Sequence, residues 1–186
     1  MDIMPYILEF DDFCENGILG LNCDRRDLLF KLKEKIPQLK VNLFTIVGRC
    51  SPVWLEEIKE IPWVDMIPHG WSHDGPECQN WTKLEALDCL DRVERLGLTK
   101  GFKAPGWRIS GGTYEGLMEK GYWVADVPKN DNKRPAGLRT YLASDNPEER
   151  IQGHMTECLG DRGLEHRFDF YASLNDKEYM FIKEIM

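Results

Sequence analysis

The sequence lacks several features that would have decided its class early. Its six cysteines, Cys14, Cys23, Cys50, Cys78, Cys89 and Cys158, include no C-x-x-C pair. That removes the local signal of a zinc ribbon or a thioredoxin-like redox motif. No stretch approaches the roughly 18 apolar residues of a membrane span, so no membrane partner is expected. Basic residues are outnumbered, 24 Lys+Arg against 32 Asp+Glu, for a formal net charge of -8. A nucleic-acid groove needs a basic stripe, so no nucleic-acid partner is expected either. Residues Met1 to Asp12 carry no basic n-region and no small-residue cleavage site, so no secretory signal is read. The default expectation is a cytoplasmic chain whose cysteines are reduced thiols and small core residues. Repeats at solenoid periods and low-complexity tracts are also missing. At 186 residues, the chain reads as one domain, residues 1–186, long enough to bury a core without staples.

What is present is an alternation of short apolar runs and helical patterns. Ile3–Phe10, Val41–Val47, Trp63–Ile67, Gly101–Ala104, Tyr122–Val127, Leu138–Ala143 and Ile151–Thr156 read as seven strands. Between them, Asp24 opens an amphipathic stretch that Pro37 ends. Ser51-Pro52 caps a short helix. Thr82-x-x-Glu85 is a capping box ahead of Leu84, Leu87, Leu90, Val93 and Leu96. Thr113–Lys120 is a helix closed by Gly121, and a last helix lies within Phe168–Ile185. Strand–helix alternation predicts a parallel α/β sheet. Seven strands in this length allow an open doubly wound sheet or an incomplete β/α barrel, since a full eight-unit barrel takes about 250 residues.

Four histidines are available: His69, His73, His154 and His166. His69 and His73, in P-H-G-W-S-H-D, are spaced so that one turn can aim both imidazoles at one ion. His69 follows the third strand, and Asp11-Asp12 follow the first. In a parallel α/β sheet those ends share the functional face. Two histidines and a carboxylate, with positions left for water and substrate, suit a hydrolytic or oxidative metal centre. Adjacent side chains on an extended backbone point opposite ways. One aspartate is therefore expected on the metal and the other apart from it as a base, and periodicity does not say which. Lys103, Asp126 and His154 end three further strands. Cys14 is expected near the site without being a ligand.

The motifs F-D-D (Phe10 to Asp12), H-G-W-S-H (His69 to His73) and K-A-P-G-W (Lys103 to Trp107), with Asp126 and His154, occur in that order. Together they resemble the five motifs of the polysaccharide deacetylase, or NodB-homology, family. The resemblance runs from Phe10 to about Glu157. It implies a distorted, incomplete (β/α) barrel of about seven parallel strands that removes N-acetyl groups from an amino-sugar or glycan. It also implies a divalent metal, zinc first, held by Asp12, His69 and His73. Asp11 would be the general base, His154 the general acid and Asp126 part of the supporting charge network. Lys103 stands where an arginine is usual, Gly70 where Ser or Thr is usual, and Gln152 where a leucine is usual. Glu9, in place of the family's threonine, precedes Phe10. These differences mark a divergent member. They also remove, at Lys103, the planar fork that can hold two carboxylates.

Trp71 and Trp107 lie inside the motifs and are the expected sugar-stacking surfaces. A backbone N–H near Gly106 or Trp107 is an expected oxyanion donor. Two rival readings stand beside this one. One is a glycan-binding homologue without turnover. The other is an iron oxygenase with a two-histidine, one-carboxylate centre, which usually needs an all-β cup.

Overall fold

A computed structural model describes residues 5–128, 131–141, 150–155 and 165–186. The element order is β1 (Ile7–Phe13), α1 (Arg26–Lys35), β2 (Val41–Thr45), α2 (Pro52–Lys59), β3 (Val64–Pro68) and α3 (Lys83–Arg95). Then follow β4 (Gly101–Lys103), α4 (Gly111–Glu119), β5 (Trp123–Ala125), β6 (Thr140–Tyr141), β7 (Arg150–His154) and α5 (Glu165–Ala172). Every pairing between these strands is parallel. They form two arcs, β3-β2-β1-β7 and β4-β5-β6. This is the expected α/β class in its barrel form, curved but not closed.

The helices start where the chain offers caps. Ser51 Oγ accepts the Trp54 N–H ahead of α2, with Pro52 in the first turn. Thr82 and Glu85 form the reciprocal capping box of α3. Ser110, which the pattern did not single out, caps α4, whose first residue, Gly111, comes two before the expected Thr113. Arg25 is the N-cap residue of α1, and the Asp24 carboxylate before it accepts the Arg26 backbone N–H at 3.4 Å along with the Arg26 guanidinium and the Trp54 indole N–H. The last helix ends at Ala172, and Ile182–Glu184 is a separate short 3-10 turn. The expected strand ends at Ala143 and Thr156, and Cys158, lie outside the described residues.

Period-two alternation sorts each strand into two faces. Leu8 and Phe10 of β1 join Leu43 of β2, Met66 of β3 and the apolar faces of α1, α2 and α3 in the largest core cluster. Phe102 of β4 and Val124 of β5 pack with Leu90, Tyr114 and Leu117 of α3 and α4. Each such aliphatic or aromatic side chain, fully buried, contributes about 1.5–3 kcal/mol. The opposite faces line the barrel interior. Ile7, Phe44, Ile67, Trp123, Ala125 and Tyr141 fill part of it. A side chain at Gly101 would sit 2.1 Å from the Trp123 ring, so only glycine lets that indole fill the space. Within this interior lie Glu9, Asp11 and Lys103, all buried. Cys14, Cys23, Cys78 and Cys89 are buried among apolar side chains.

Candidate metal centre

Near its C-terminal end, β1 departs from regular geometry. Between Phe10 and Phe13 it advances three residues while β2 advances two, from Leu43 to Thr45. One extra residue is a bulge, and Asp12 within it has φ 66°. The strand therefore does not stop before the aspartates, as the apolar run suggested, but carries them. The twist also removes the expected opposition of neighbouring side chains. Asp11 and Asp12 line one open cavity of about 140 Å³, together with His69, His73, Gly106, Trp107 and His154.

Their surroundings separate the two aspartates. Asp12 Oδ1 lies 3.5 Å from His69 Nε2 and 3.3 Å from His73 Nε2. One donor atom from each of these three residues falls within 4.8 Å of the others. Asp12 Oδ1 is buried yet has no hydrogen-bond partner. A buried oxygen without a donor is costly, and a cation between it and the two ring nitrogens would satisfy it. His69 adds a second indication. Its Nδ1–H donates to the Lys103 carbonyl oxygen at 2.9 Å. A carbonyl only accepts, so Nδ1 carries the proton and Nε2 presents its lone pair to the cavity, the arrangement of a metal-ligating histidine. The residues thus fit a divalent ion.

His73 is placed by a residue that motif reading missed. The Glu77 carboxylate accepts the backbone N–H of Trp71 at 2.7 Å, of Ser72 at 3.1 Å and of His73 at 3.0 Å, and also the Ser72 hydroxyl at 3.1 Å. One side chain thereby fixes the whole turn between the two histidines. It also accounts for Gly70, where φ is 68° and a Cβ would lie 2.2 Å from Glu77 Oε1 and 2.6 Å from Pro105 Cγ. Glycine is what lets the carboxylate reach the turn. The signal for Glu77 in the sequence was only an acid four residues past His73.

Asp11 has a different set of partners. Its Oδ1 is 2.8 Å from Lys103 Nζ, and its Oδ2 is 3.7 Å from His154 Nε2 and 3.4 Å from Gln152 Nε2. Lys103 Nζ also lies 2.8 Å from Asp126 Oδ2 and 3.4 Å from Glu9 Oε1. Burial disfavours the ammonium, but Asp11, Glu9 and Asp126 together outweigh it and raise the Lys103 pKa. Asp126 likewise resists its burial: Arg150 and Lys103 hold it below the ordinary carboxylate value. Burial pushes Glu9 up against the charges of Lys103 and Arg150. Arg150 was not singled out in the sequence, because an arginine opening a strand reads as a surface charge.

The two tryptophans part company. Trp107 lines the cavity half-exposed, its ring centroid 6.5 Å from that of His154. Trp71 packs against the main core under the Arg92 guanidinium and does not line the cavity. Trp107 N–H donates to the Ala104 carbonyl at 3.0 Å, so of the two expected oxyanion donors it is already engaged. Cys14 sits beside the site, buried with Cys23 and Ile46. Hydrogen bonding to Cys23, then burial, push its thiol far above the ordinary range. Asp12, His73, Trp107 and Asp126 all have positive φ. Such backbone costs of order 1–3 kcal/mol per residue and gathers at functional sites.

No protein-family profile matches the chain, and neither does any curated protein sequence. Solved structures do match. The Xyl-CE4 domain of a multidomain xylanase from the hindgut metagenome of Trinervitermes trinervoides is 12% identical at a TM-score of 0.63, over 99% of this chain and 90% of that one. A family 4 acetyl xylan esterase from Clostridium thermocellum, solved with a cobalt ion, is 14% identical at 0.61, over 97% and 89%. The 4-alpha-glucanotransferase from Thermococcus litoralis is 14% identical at 0.64, over 98% of this chain but 40% of that one. A fold shared with a glucanotransferase does not by itself fix the chemistry. What these likenesses establish is the fold: an incomplete α/β barrel that this chain shares with family 4 carbohydrate esterases and with a glucanotransferase.

Proposed function

We propose that this chain, as one catalytic domain spanning residues 1–186, is a metal-dependent hydrolase that removes acetyl groups from a sugar or glycan, N-acetyl groups first. The observation that carries the reading is the pairing of two unlike corners in one cavity. At one, Asp12, His69 and His73 converge on a buried, partnerless oxygen; at the other, Asp11 and His154 face each other. The family 4 esterases among the structural neighbours agree with it.

In this reading Asp12, His69 and His73 hold a divalent ion, zinc by donor type. When bound, that ion polarises the acetyl carbonyl and makes water a better nucleophile at neutral pH. Asp11 accepts the proton of the attacking water at Oδ2, while Lys103 holds Oδ1. The base is not itself a ligand, so its basicity is not consumed by the ion. The Gly106 N–H is the remaining backbone candidate for the developing oxyanion. Expulsion of an amine needs a proton, and His154, across the cavity from the metal corner, delivers it to the leaving nitrogen. Trp107 offers its exposed face to a sugar ring. The oxygenase reading loses its support, since that chemistry was expected on an all-β cup and the strands here are parallel and alternate with helices.

The test combines elemental analysis with acetate release from N-acetylated and O-acetylated sugars. The expected result is about one divalent ion per chain and acetate release that stops on chelation. Glycan binding without acetate release from any substrate, by fully metal-loaded protein, would leave the binding-module reading in its place.

A further inference from the structure

Lysine at position 103 cannot grip two carboxylates in fixed planes, yet the network around it is fixed. The missing fork comes from another strand. Arg150, at the start of β7, has a side chain only 5% exposed. Its Nη1 donates to Asp126 Oδ1 at 2.6 Å and its Nη2 to Asp126 Oδ2 at 2.7 Å, a bidentate pair. Its other edge donates to Glu9, from Nε to Oε2 at 2.9 Å and from Nη2 to Oε1. The ring of Tyr141 lies 4.6 Å below the guanidinium. One planar group therefore sets the orientation of two buried carboxyls at once, which an ammonium does not do.

Those two carboxyls are two of the three that Lys103 touches. The third is Asp11, which has no arginine contact among the described residues and lines the cavity. With Asp126 and Glu9 locked, Lys103 Nζ has one place to sit, and Asp11 Oδ1 is held from that place. Arg150 does not line the cavity. We propose that Arg150, braced by Glu9, is a positioning residue of this site. Its two-edged grip on Asp126 and Glu9 makes Lys103 present Asp11 to the cavity in one orientation, and so replaces the fork that position 103 lacks. The role assigned to Asp11 rests on the hydrolase reading above; the placement of Lys103 does not.

The test therefore has one readout free of activity. In metal-free protein labelled with [15N]lysine, the buried Lys103 ammonium gives a resonance assigned by its loss in Lys103→Met. The variants are Arg150→Lys, which keeps the charge and nearly the volume, and the pair Glu9→Gln with Arg150→Met, which removes both partners together. In both, the resonance is expected to shift or broaden while metal content stays at the wild-type level. Acetate release should lose about 10²-fold in kcat at unchanged KM, the scale of an ångström-level misplacement. Arg150→Lys should not rescue, since a point charge cannot hold both carboxyls. An unmoved Lys103 resonance overturns the proposal, as does wild-type kcat in either variant or loss of the metal. If wild-type protein releases no acetate from any substrate, the hydrolase reading falls, while the resonance still judges the network.

Discussion

Buried charge is handled in opposite ways at the two corners of this cavity. Around Lys103, three carboxyls and two cations contact one another, and Lys103 and Arg150 leave few acceptors unused. Around Asp12, a buried oxygen has two imidazole nitrogens at 3.3 and 3.5 Å and no hydrogen-bond donor. The saturated corner holds its shape without help. The unsaturated one is complete only when something positive arrives. A hydrolase of the proposed kind needs both: a base that stays put and ligands that stay available.

The largest expected effect is at the unsaturated corner. His69→Ala and Asp12→Ala should each bring metal content close to zero and abolish the stabilisation by added zinc. In wild-type protein, zinc at about 100 times its Kd should add about 2.7 kcal/mol, read as a rise in Tm that both variants lack. Full metal content in both variants would place the ion elsewhere.

At the saturated corner the expected loss is of stability rather than metal. Lys103→Met leaves Asp11 and its neighbours without the central cation, and removing one partner of a buried ion network costs about 3–5 kcal/mol. Urea unfolding measures it. A loss below about 1 kcal/mol would mean that the three carboxyls are not charged together.

A smaller effect sharpens the difference. Glu77→Gln keeps the size of the side chain but removes the charge that accepts three backbone N–H groups of the His69–His73 turn. Metal affinity should fall about 10- to 100-fold, as for other groups that orient ligands. Titration with a chelator-buffered metal reads this directly. Unchanged affinity would show that the turn holds itself.

The smallest effect is in the acid limb. Asp126 titrates below its unfolded value of 3.8 in the folded protein. A depressed carboxyl contributes stability above the unfolded pKa and loses it as pH falls through the folded one. Stability should therefore drop as pH falls below about 4. Asp126→Asn should be less stable at pH 7 and should show a shallower drop there, followed by urea midpoints between pH 2 and pH 6. An acid limb of unchanged slope would remove Asp126 from that account.

How much of this was readable beforehand depends on range. Local chemistry wrote the cap at Ser51, the capping box at Thr82 and Glu85, and the period-two runs of the strands. Those need only neighbours a few residues away, and they were enough to place Asp11, Asp12, His69, Lys103, Asp126 and His154 at strand ends. The tertiary structure decided what no local pattern encodes. The bulge at Asp12 lies in the register of β1 against β2, just past the regular pairing of β1 with β7 that ends at Asp11, and it brings two adjacent aspartates to one cavity. Glu77 matters because its loop folds back over the histidine turn. Arg150 and Glu9 are 141 residues apart in sequence and look like surface charges until the barrel buries them together. Side-chain types and spacings fix which chemistry is possible, and long-range strand pairing fixes which atoms meet.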